Sequence, residues 1–188
     1  MRSTRYKLIL FLLIASVLTA LSAKFILDCY DFSEPPGPPN YSLIEPGLYM
    51  GGQCTRPPAN VQSVLNLSLH KDNFSTDFYV WHPIPDGAPA PDISWLRDQV
   101  EFIDTQRSAG REVFIHCDAG ISRSGMVMAA YLMNHYSWSR DQALDFIRTK
   151  RPIVHPNAAF MDLLNEWEDF VKTSTSTSHP SALPFLSE

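Results

Sequence analysis

The longest run of apolar positions lies at the N-terminus and predicts a hydrophobic helix. Residues 8–23 contain no charged side chain, Lys24 interrupts the run once, and basic residues precede it. A basic stretch followed by apolar and then small residues is typical of a secretory signal peptide. A helix over residues 8–27 would be about 30 Å long, which is enough to cross a bilayer as an uncleaved anchor. Both interpretations of residues 1–27 stay open.

The charges around this segment predict the side of a membrane on which the rest of the chain lies. Basic residues flanking a membrane segment stay on the cytoplasmic side, so the positive N-terminus directs the remainder outward. We therefore expect a single-pass membrane protein with an extracytoplasmic body, attached to the membrane through its N-terminal helix. If the segment is cleaved, we expect a secreted or periplasmic protein instead.

Two segments of biased composition bound the region that can fold. Residues 28–40 contain a run of prolines and predict a stiff spacer in polyproline conformation. Residues 172–188 are rich in serine and threonine and predict a disordered tail. The folded domain is therefore expected over residues 41–171.

Short strands alternate with helices across this domain. Apolar residues at positions 93, 96, 100 and 103 recur at helical spacing, with Asp92 as the expected N-cap, and a capping box is expected at Ser139 and Gln142. The strands are expected near residues 47–50, 64–67, 79–82 and 113–116, and the helices near 93–109, 122–136, 139–150 and 157–171. This alternation predicts an α/β fold with a central, mostly parallel sheet of four to five strands flanked by helices. Ligands of such sheets bind near the carboxyl ends of the strands.

Composition narrows the classes of function. A chain of 188 residues with 45% hydrophobic positions has room for one globular domain, which we expect to be a monomer. Its formal net charge of −5 argues against a nucleic-acid surface. Three cysteines without a CxxC pair do not form a disulfide scaffold or a structural zinc site, and the histidines lack ligand spacing. We expect neither a metal nor another cofactor.

The segment VFIHCDAGISRSG at residues 113–125 carries the candidate chemistry. The expected strand delivers Cys117 to its carboxyl end, and Arg123 lies where the next helix begins. Backbone N–H groups in such a loop, together with the positive end of the helix, form an anion site. Arg123 can hold two phosphate oxygens, and Gly120 allows close approach of the backbone to a ligand. In that field we expect Cys117 to be the nucleophilic thiolate.

These residues resemble a known signature. The spacing of His116, Cys117, Gly120, Arg123 and Ser124 matches the CX5R signature of cysteine-dependent protein phosphatases. The form HCxAGxSRS is similar to the dual-specificity branch. The resemblance extends over the expected folded domain and implies a dual-specificity protein phosphatase. Such an enzyme hydrolyses phosphotyrosine and phosphoserine or phosphothreonine esters through a phosphocysteine intermediate.

A phosphocysteine mechanism needs a carboxylic acid that protonates the leaving oxygen. In the family this acid follows an Ile-Pro pair, and Asp86 in Ile84-Pro85-Asp86-Gly87 fits that position. The same sequence is also a typical turn, and both roles are compatible. The other upstream candidates are Asp72, Asp77 and the expected helix cap Asp92.

The resemblance assigns roles to further residues. It implies that Ser124 donates a hydrogen bond to the Cys117 sulfur as the intermediate is hydrolysed, and that His116 supports the loop. Asn157 matches a family position but is also expected to cap its helix. The residues expected to bind phosphate through their backbone N–H groups, so that their side chains matter less, are Asp118, Ala119, Gly120, Ile121 and Ser122, joined by the side chain of Arg123.

Several alternatives stay open. The ligand is expected to be a phosphorylated protein or a small phosphomonoester, and the ester could instead be a phosphoinositide, lipid or sugar phosphate. The loop contains no lysine, which weakens the phosphoinositide interpretation. A pseudophosphatase that binds phosphate without hydrolysis is the alternative from another class. Cys54 could pair with Cys29 or with Cys117, or all three could be free thiols.

Overall fold

A five-stranded sheet lies at the centre of the region that the computed structural model describes, residues 39–177. Its strands are β1 (Tyr41–Glu45), β2 (Leu48–Gly51), β3 (Ser63–Asn66), β4 (Phe78–Trp81) and β5 (Val113–His116). Their order in the sheet is β1-β2-β5-β3-β4, with β1 antiparallel to β2 and every other pair parallel. The parallel strands therefore bring the segments that follow β2, β3, β4 and β5 to one edge, where the candidate site lies.

Helices flank the sheet in the described part of the chain. They are α1 (Ile93–Ser108), α2 (Arg123–Tyr136), α3 (Arg140–Lys150) and α4 (Ala158–Thr177). Helix α2 is central: its residues from Arg123 to Met133 are all buried, and it contacts the other three helices. A helix that is apolar on all sides needs such surroundings. The first turn of this helix is thereby fixed at the sheet edge.

Local signals set the starts of two helices as expected. Asp92 accepts a hydrogen bond from the Trp95 N–H at 2.8 Å and caps α1. Ser139 and Gln142 form the reciprocal capping box at the start of α3. The fold class predicted from the sequence is confirmed, and each predicted strand lies within one residue of an observed one.

Two elements differ from the sequence-based expectation. Strand β1 was not predicted because only Ile44 of its five residues is buried, so no apolar alternation marks it. It is an edge strand held by pairing with β2. Helix α4 was expected to end at Val171 but continues to Thr177, into the segment expected to be a disordered tail. The hydroxyl groups of Thr173 and Ser174 donate to carbonyls four residues earlier, which satisfies them within the helix.

Several predictions fall outside the described residues. These are the hydrophobic helix and signal of residues 1–27, nearly all of the spacer, and residues 178–188 of the tail. Among the helices of residues 39–177, none has the length and apolarity needed to cross a bilayer.

Candidate active site

The loop between β5 and α2 surrounds the Cys117 sulfur. Cys117 is 1% exposed, and its Sγ accepts a hydrogen bond from the Gly120 N–H at 3.2 Å. Gly120 has a φ of +71°, and a Cβ there would collide with the main chain of Gly51 and Gly52. Only glycine therefore allows the loop to curl around the sulfur at this distance.

Arg151 holds this loop from behind. Its Nε donates to the Gly120 carbonyl at 2.7 Å, and one Nη donates to the Ala119 carbonyl at 3.1 Å and to Asn40 Oδ1 at 2.7 Å. A peptide N–H points opposite to its carbonyl, so these bonds turn the N–H groups of Gly120 and Ile121 away from Arg151. Burial lowers the pKa of the Arg151 guanidinium, and the nearby Cys117 charge opposes that shift. No sequence motif marks Arg151 as a residue of the site.

Arg123 is 4% exposed and joins three segments of the site. One Nη donates to the carbonyls of Leu67 at 3.3 Å and Ile84 at 3.2 Å, which follow β3 and β4. The other Nη donates to Asp118 Oδ2 at 2.6 Å. Its Nε is buried and has no hydrogen-bond partner within residues 39–177. A buried donor of this kind is suited to an anionic ligand.

Asp86 lies at the mouth of the site, where its side chain is 39% exposed. Its Oδ2 is 3.7 Å from Arg123 Nε, and its Oδ1 accepts a hydrogen bond from Asn157 Nδ2 at 2.9 Å. Asn157 also accepts from the Phe160 N–H at 3.0 Å, so it caps α4 while it contacts Asp86. Asn157 is thus a helix cap, as expected, and also a neighbour of the candidate acid. Asp77 has no place in this group and lies exposed at the start of β4.

His116 and Asp72 form a buried pair next to the loop. His116 Nε2 is 2.8 Å from Asp72 Oδ2, and their side chains are 0% and 1% exposed. The same oxygen accepts from Tyr79 Oη and from Asn66 Nδ2. These contacts fix the imidazole, and through it the position of Cys117 at the end of β5. Asp72 was a candidate acid, but it is enclosed and supports His116 instead.

Ser124 lies in the first turn of α2, directly beside the sulfur. Its Oγ is 3.3 Å from Cys117 Sγ and 3.1 Å from the Gly51 carbonyl. A hydroxyl has one proton to donate, so Ser124 can donate either to the carbonyl or to the sulfur. A small rotation of one side chain can therefore supply a hydrogen bond to an ionised sulfur.

The side chain of Asp118 contacts more of the site than the sequence predicted. Its carboxylate binds the Arg123 guanidinium and the Ser68 hydroxyl, and His70 Nδ1 lies 3.8 Å away. Burial raises the pKa of Asp118, but the hydrogen bonds from Ser68 and Arg123 outweigh it and lower the pKa below its usual value. Two other loop residues contact the segment before α4. Ser122 Oγ accepts a hydrogen bond from the Asn157 N–H, and the Ile121 carbonyl accepts one from the His155 N–H.

Cys54 and Cys117 are free thiols in the described part of the chain, and Cys29 lies outside it. Burial, with a smaller effect from the Asp72 charge, raises the pKa of Cys54 to about 11, which keeps this thiol protonated at neutral pH. Residues 39–177 contain no group of three His, Cys, Asp or Glu side chains that could hold a metal ion.

Comparisons with known proteins agree with this geometry. The family model "Dual specificity phosphatase, catalytic domain" matches residues 50–170. The chain is 36% identical over 113 residues to human dual specificity protein phosphatase 1, a match that covers 59% of this chain and 31% of that protein. It spans about a third of the length of such curated relatives.

Solved structures share the fold. The crystal structure of human DUSP28 superposes with a TM-score of 0.64 at 25% identity, covering 74% of this chain and 99% of that one. The crystal structure of PTPMT1 in complex with PI(5)P gives a TM-score of 0.66 at 21% identity, covering 72% and 99%. At 21% identity, the similarity to PTPMT1 shows a common fold only.

Proposed function

The chain belongs to the dual specificity phosphatase family, and from that premise we propose that it hydrolyses phosphomonoesters through a phosphocysteine intermediate. One observation carries the proposal. The loop that surrounds the Cys117 sulfur ends at Arg123, whose buried Nε lacks a hydrogen-bond partner in the described chain and lies 3.7 Å from the Asp86 carboxyl. A nucleophile, an oxyanion donor and a proton donor are the groups that this reaction requires.

In the first step the Cys117 thiolate attacks phosphorus, a sulfur–phosphorus bond forms, and the bond from phosphorus to the leaving oxygen breaks. Asp86 gives its proton to that oxygen, so the leaving group departs as a neutral alcohol or phenol. Arg123 and the backbone N–H groups of the loop bind the equatorial oxygens, on which negative charge is spread in the transition state.

In the second step water attacks phosphorus and the sulfur leaves. Asp86, now ionised, accepts a proton from the water, which restores its acid form. The Ser124 hydroxyl turns from the Gly51 carbonyl to the sulfur and stabilises the departing thiolate, a movement that its distances of 3.1 and 3.3 Å support. Inorganic phosphate is the second product.

We propose that the substrates are phosphoproteins carrying phosphotyrosine and phosphoserine or phosphothreonine. The family relatives are protein phosphatases, although the chain spans about a third of their length. A phosphoinositide is a second candidate because PTPMT1 binds PI(5)P, but that neighbour supports a common fold only. The Asp118 carboxylate, 2.6 Å from the single arginine of the loop, disfavours a ligand with several phosphates.

Membrane attachment through residues 1–27, with the body outside the cytoplasm, is a separate proposal. It rests on the apolar run and the basic residues before it. Reporter fusions placed after residue 34 and determination of the mature N-terminus test it. A cytoplasmic reporter would contradict the proposed orientation.

Hydrolysis of p-nitrophenyl phosphate by the full chain tests the enzyme proposal. We expect turnover by the wild type, retained in the exposed α1 variant Asp98→Asn and reduced at least about 10⁴-fold in Cys117→Ser. A folded wild type that binds phosphate but does not hydrolyse the ester would instead support the pseudophosphatase. Parallel assays with phosphopeptides and phosphoinositides decide between the substrate classes.

A further inference from the structure

We propose that Asp118 is an internal anion that competes with the substrate phosphoryl group for Arg123, and thereby selects phosphomonoesters flanked by cationic groups. This inference rests on the proposed function of the site. It concerns a side chain that lies directly after the nucleophile and that the reaction itself does not require.

The hydrogen bonds of Arg123 leave few donors for a ligand. One Nη is occupied by the carbonyls of Leu67 and Ile84, which fix the guanidinium in its place. The remaining donors are Nε and the second Nη, and a phosphoryl group needs both for bidentate binding. An anion that contacts this second Nη therefore takes one of the three N–H donors that remain on Arg123 and balances part of its positive charge.

Each of these two donors faces a carboxylate. Nε lies 3.7 Å from Asp86 Oδ2, and the second Nη lies 2.6 Å from Asp118 Oδ2. In the proposed reaction Asp86 carries a proton when substrate binds, so it does not compete as a charge. Asp118 has a lowered pKa because hydrogen bonds from Ser68 and Arg123 outweigh burial, and it is therefore ionised at neutral pH. Asp118 is the permanent negative charge beside the arginine.

Asp118 has other partners when the phosphoryl group takes Arg123. Its Oδ1 already contacts the Ser68 hydroxyl, and His70 Nδ1 lies 3.8 Å away on an exposed side chain. The carboxylate is 39% exposed, so it also meets groups that flank the bound phosphoryl group. A cation there compensates the charge that Arg123 no longer balances, whereas a second anion is repelled.

Binding of inorganic phosphate to the full chain, measured by calorimetry, tests the competition without requiring turnover. Asp118→Asn keeps the shape and an acceptor oxygen but removes the charge, and we expect it to bind phosphate about tenfold more tightly than the wild type. Asp118→Ala is expected to bind more tightly as well. The control Asp98→Asn removes one exposed charge from α1 and should leave the affinity unchanged. Structural damage to the site would weaken phosphate binding, so a gain in affinity distinguishes removal of the charge from misfolding.

Selectivity is tested with two phosphotyrosine peptides of equal length, one with lysine and one with glutamate on both sides. We expect the wild type to favour the lysine peptide in kcat/KM by about tenfold, and Asp118→Asn to reduce that ratio severalfold. Phosphate affinity that is equal or weaker in Asp118→Asn, or a peptide ratio that it leaves unchanged, would overturn the proposal. Inactivity of the wild type on p-nitrophenyl phosphate would contradict the proposed function alone, because the phosphate measurement does not depend on it.

Discussion

The floor of the site, formed by Cys117, Gly120 and Ser124, is buried and held from behind by Arg151. The mouth, formed by Asp86, Asp118 and Asn157, is partly exposed and held by contacts between side chains of distant segments. The floor is one continuous segment, from the end of β5 to the first turn of α2, and hydrogen bonds from Arg151 to two of its carbonyls hold its backbone. The mouth can rearrange, because its charged groups have alternative partners within reach. The floor thus fixes the position of the nucleophile, whereas the mouth carries the proposed acid and the charged groups that the substrate meets.

Asp86→Asn gives the largest expected effect that is confined to the mouth. The amide cannot donate the proton that the leaving oxygen needs, so we expect kcat to fall about 10²–10³-fold for phenyl phosphate. The loss should be smaller for p-nitrophenyl phosphate, whose leaving group is stable without a proton. Steady-state kinetics with both esters measures this, and thermal unfolding should match the wild type because Asp86 is at the exposed mouth. Equal losses for both esters would contradict the role as acid.

Arg151→Met tests the floor. The substitution leaves the carbonyls of Ala119 and Gly120 without their donor, so we expect a stability loss of about 2–3 kcal/mol together with reduced phosphate affinity. Denaturant unfolding and phosphate titration measure the two effects. Arg97→Met on the exposed face of α1 is the matched control. Weaker phosphate binding without a loss of stability would show that Arg151 acts by its charge rather than by holding the loop.

Asn157→Asp gives the smallest expected effect. An aspartate oxygen still accepts the Phe160 N–H and caps α4, but the donor to Asp86 is lost and a second carboxylate lies beside it. We expect kcat to change by less than about tenfold, with stability close to that of the wild type. Asn157→Ala should lose the cap as well and unfold more easily. Unchanged kcat in both variants would show that Asn157 only caps the helix.

The same two regions differ in how far the sequence predicts them. The floor follows from a local pattern: one strand, one loop with Cys117, Gly120 and Arg123, and one helix start. Its support by Arg151 could not be predicted, because this residue is 31 positions from the carbonyl it binds. At the mouth, Asp86 was identified through the family resemblance, whereas the contact between Asp118 and Arg123 was not. A hydrogen bond between side chains leaves no periodic signal in the sequence.

The secondary structure was likewise predicted only in part from the sequence. Helices and buried strands were predicted closely because apolar spacing and capping residues mark them. Strand β1 is an edge strand with one buried residue, and the last turns of α4 are made of serine and threonine. The strand is held by hydrogen bonds to β2, and the end of the helix makes hydrogen bonds within itself; neither is marked by a buried apolar face.

Transfer of the phosphoryl group to Cys117 is the central claim, and Ser124→Ala allows it to be measured directly. Without the hydroxyl near Sγ the sulfur leaves more slowly, so the phosphocysteine should accumulate. Acid-quenched samples of the full-length variant with p-nitrophenyl phosphate, analysed by mass spectrometry, are expected to carry phosphate on Cys117, with a burst of p-nitrophenol of matching amplitude. Continued turnover with phosphate on another residue, or on none, would contradict the mechanism.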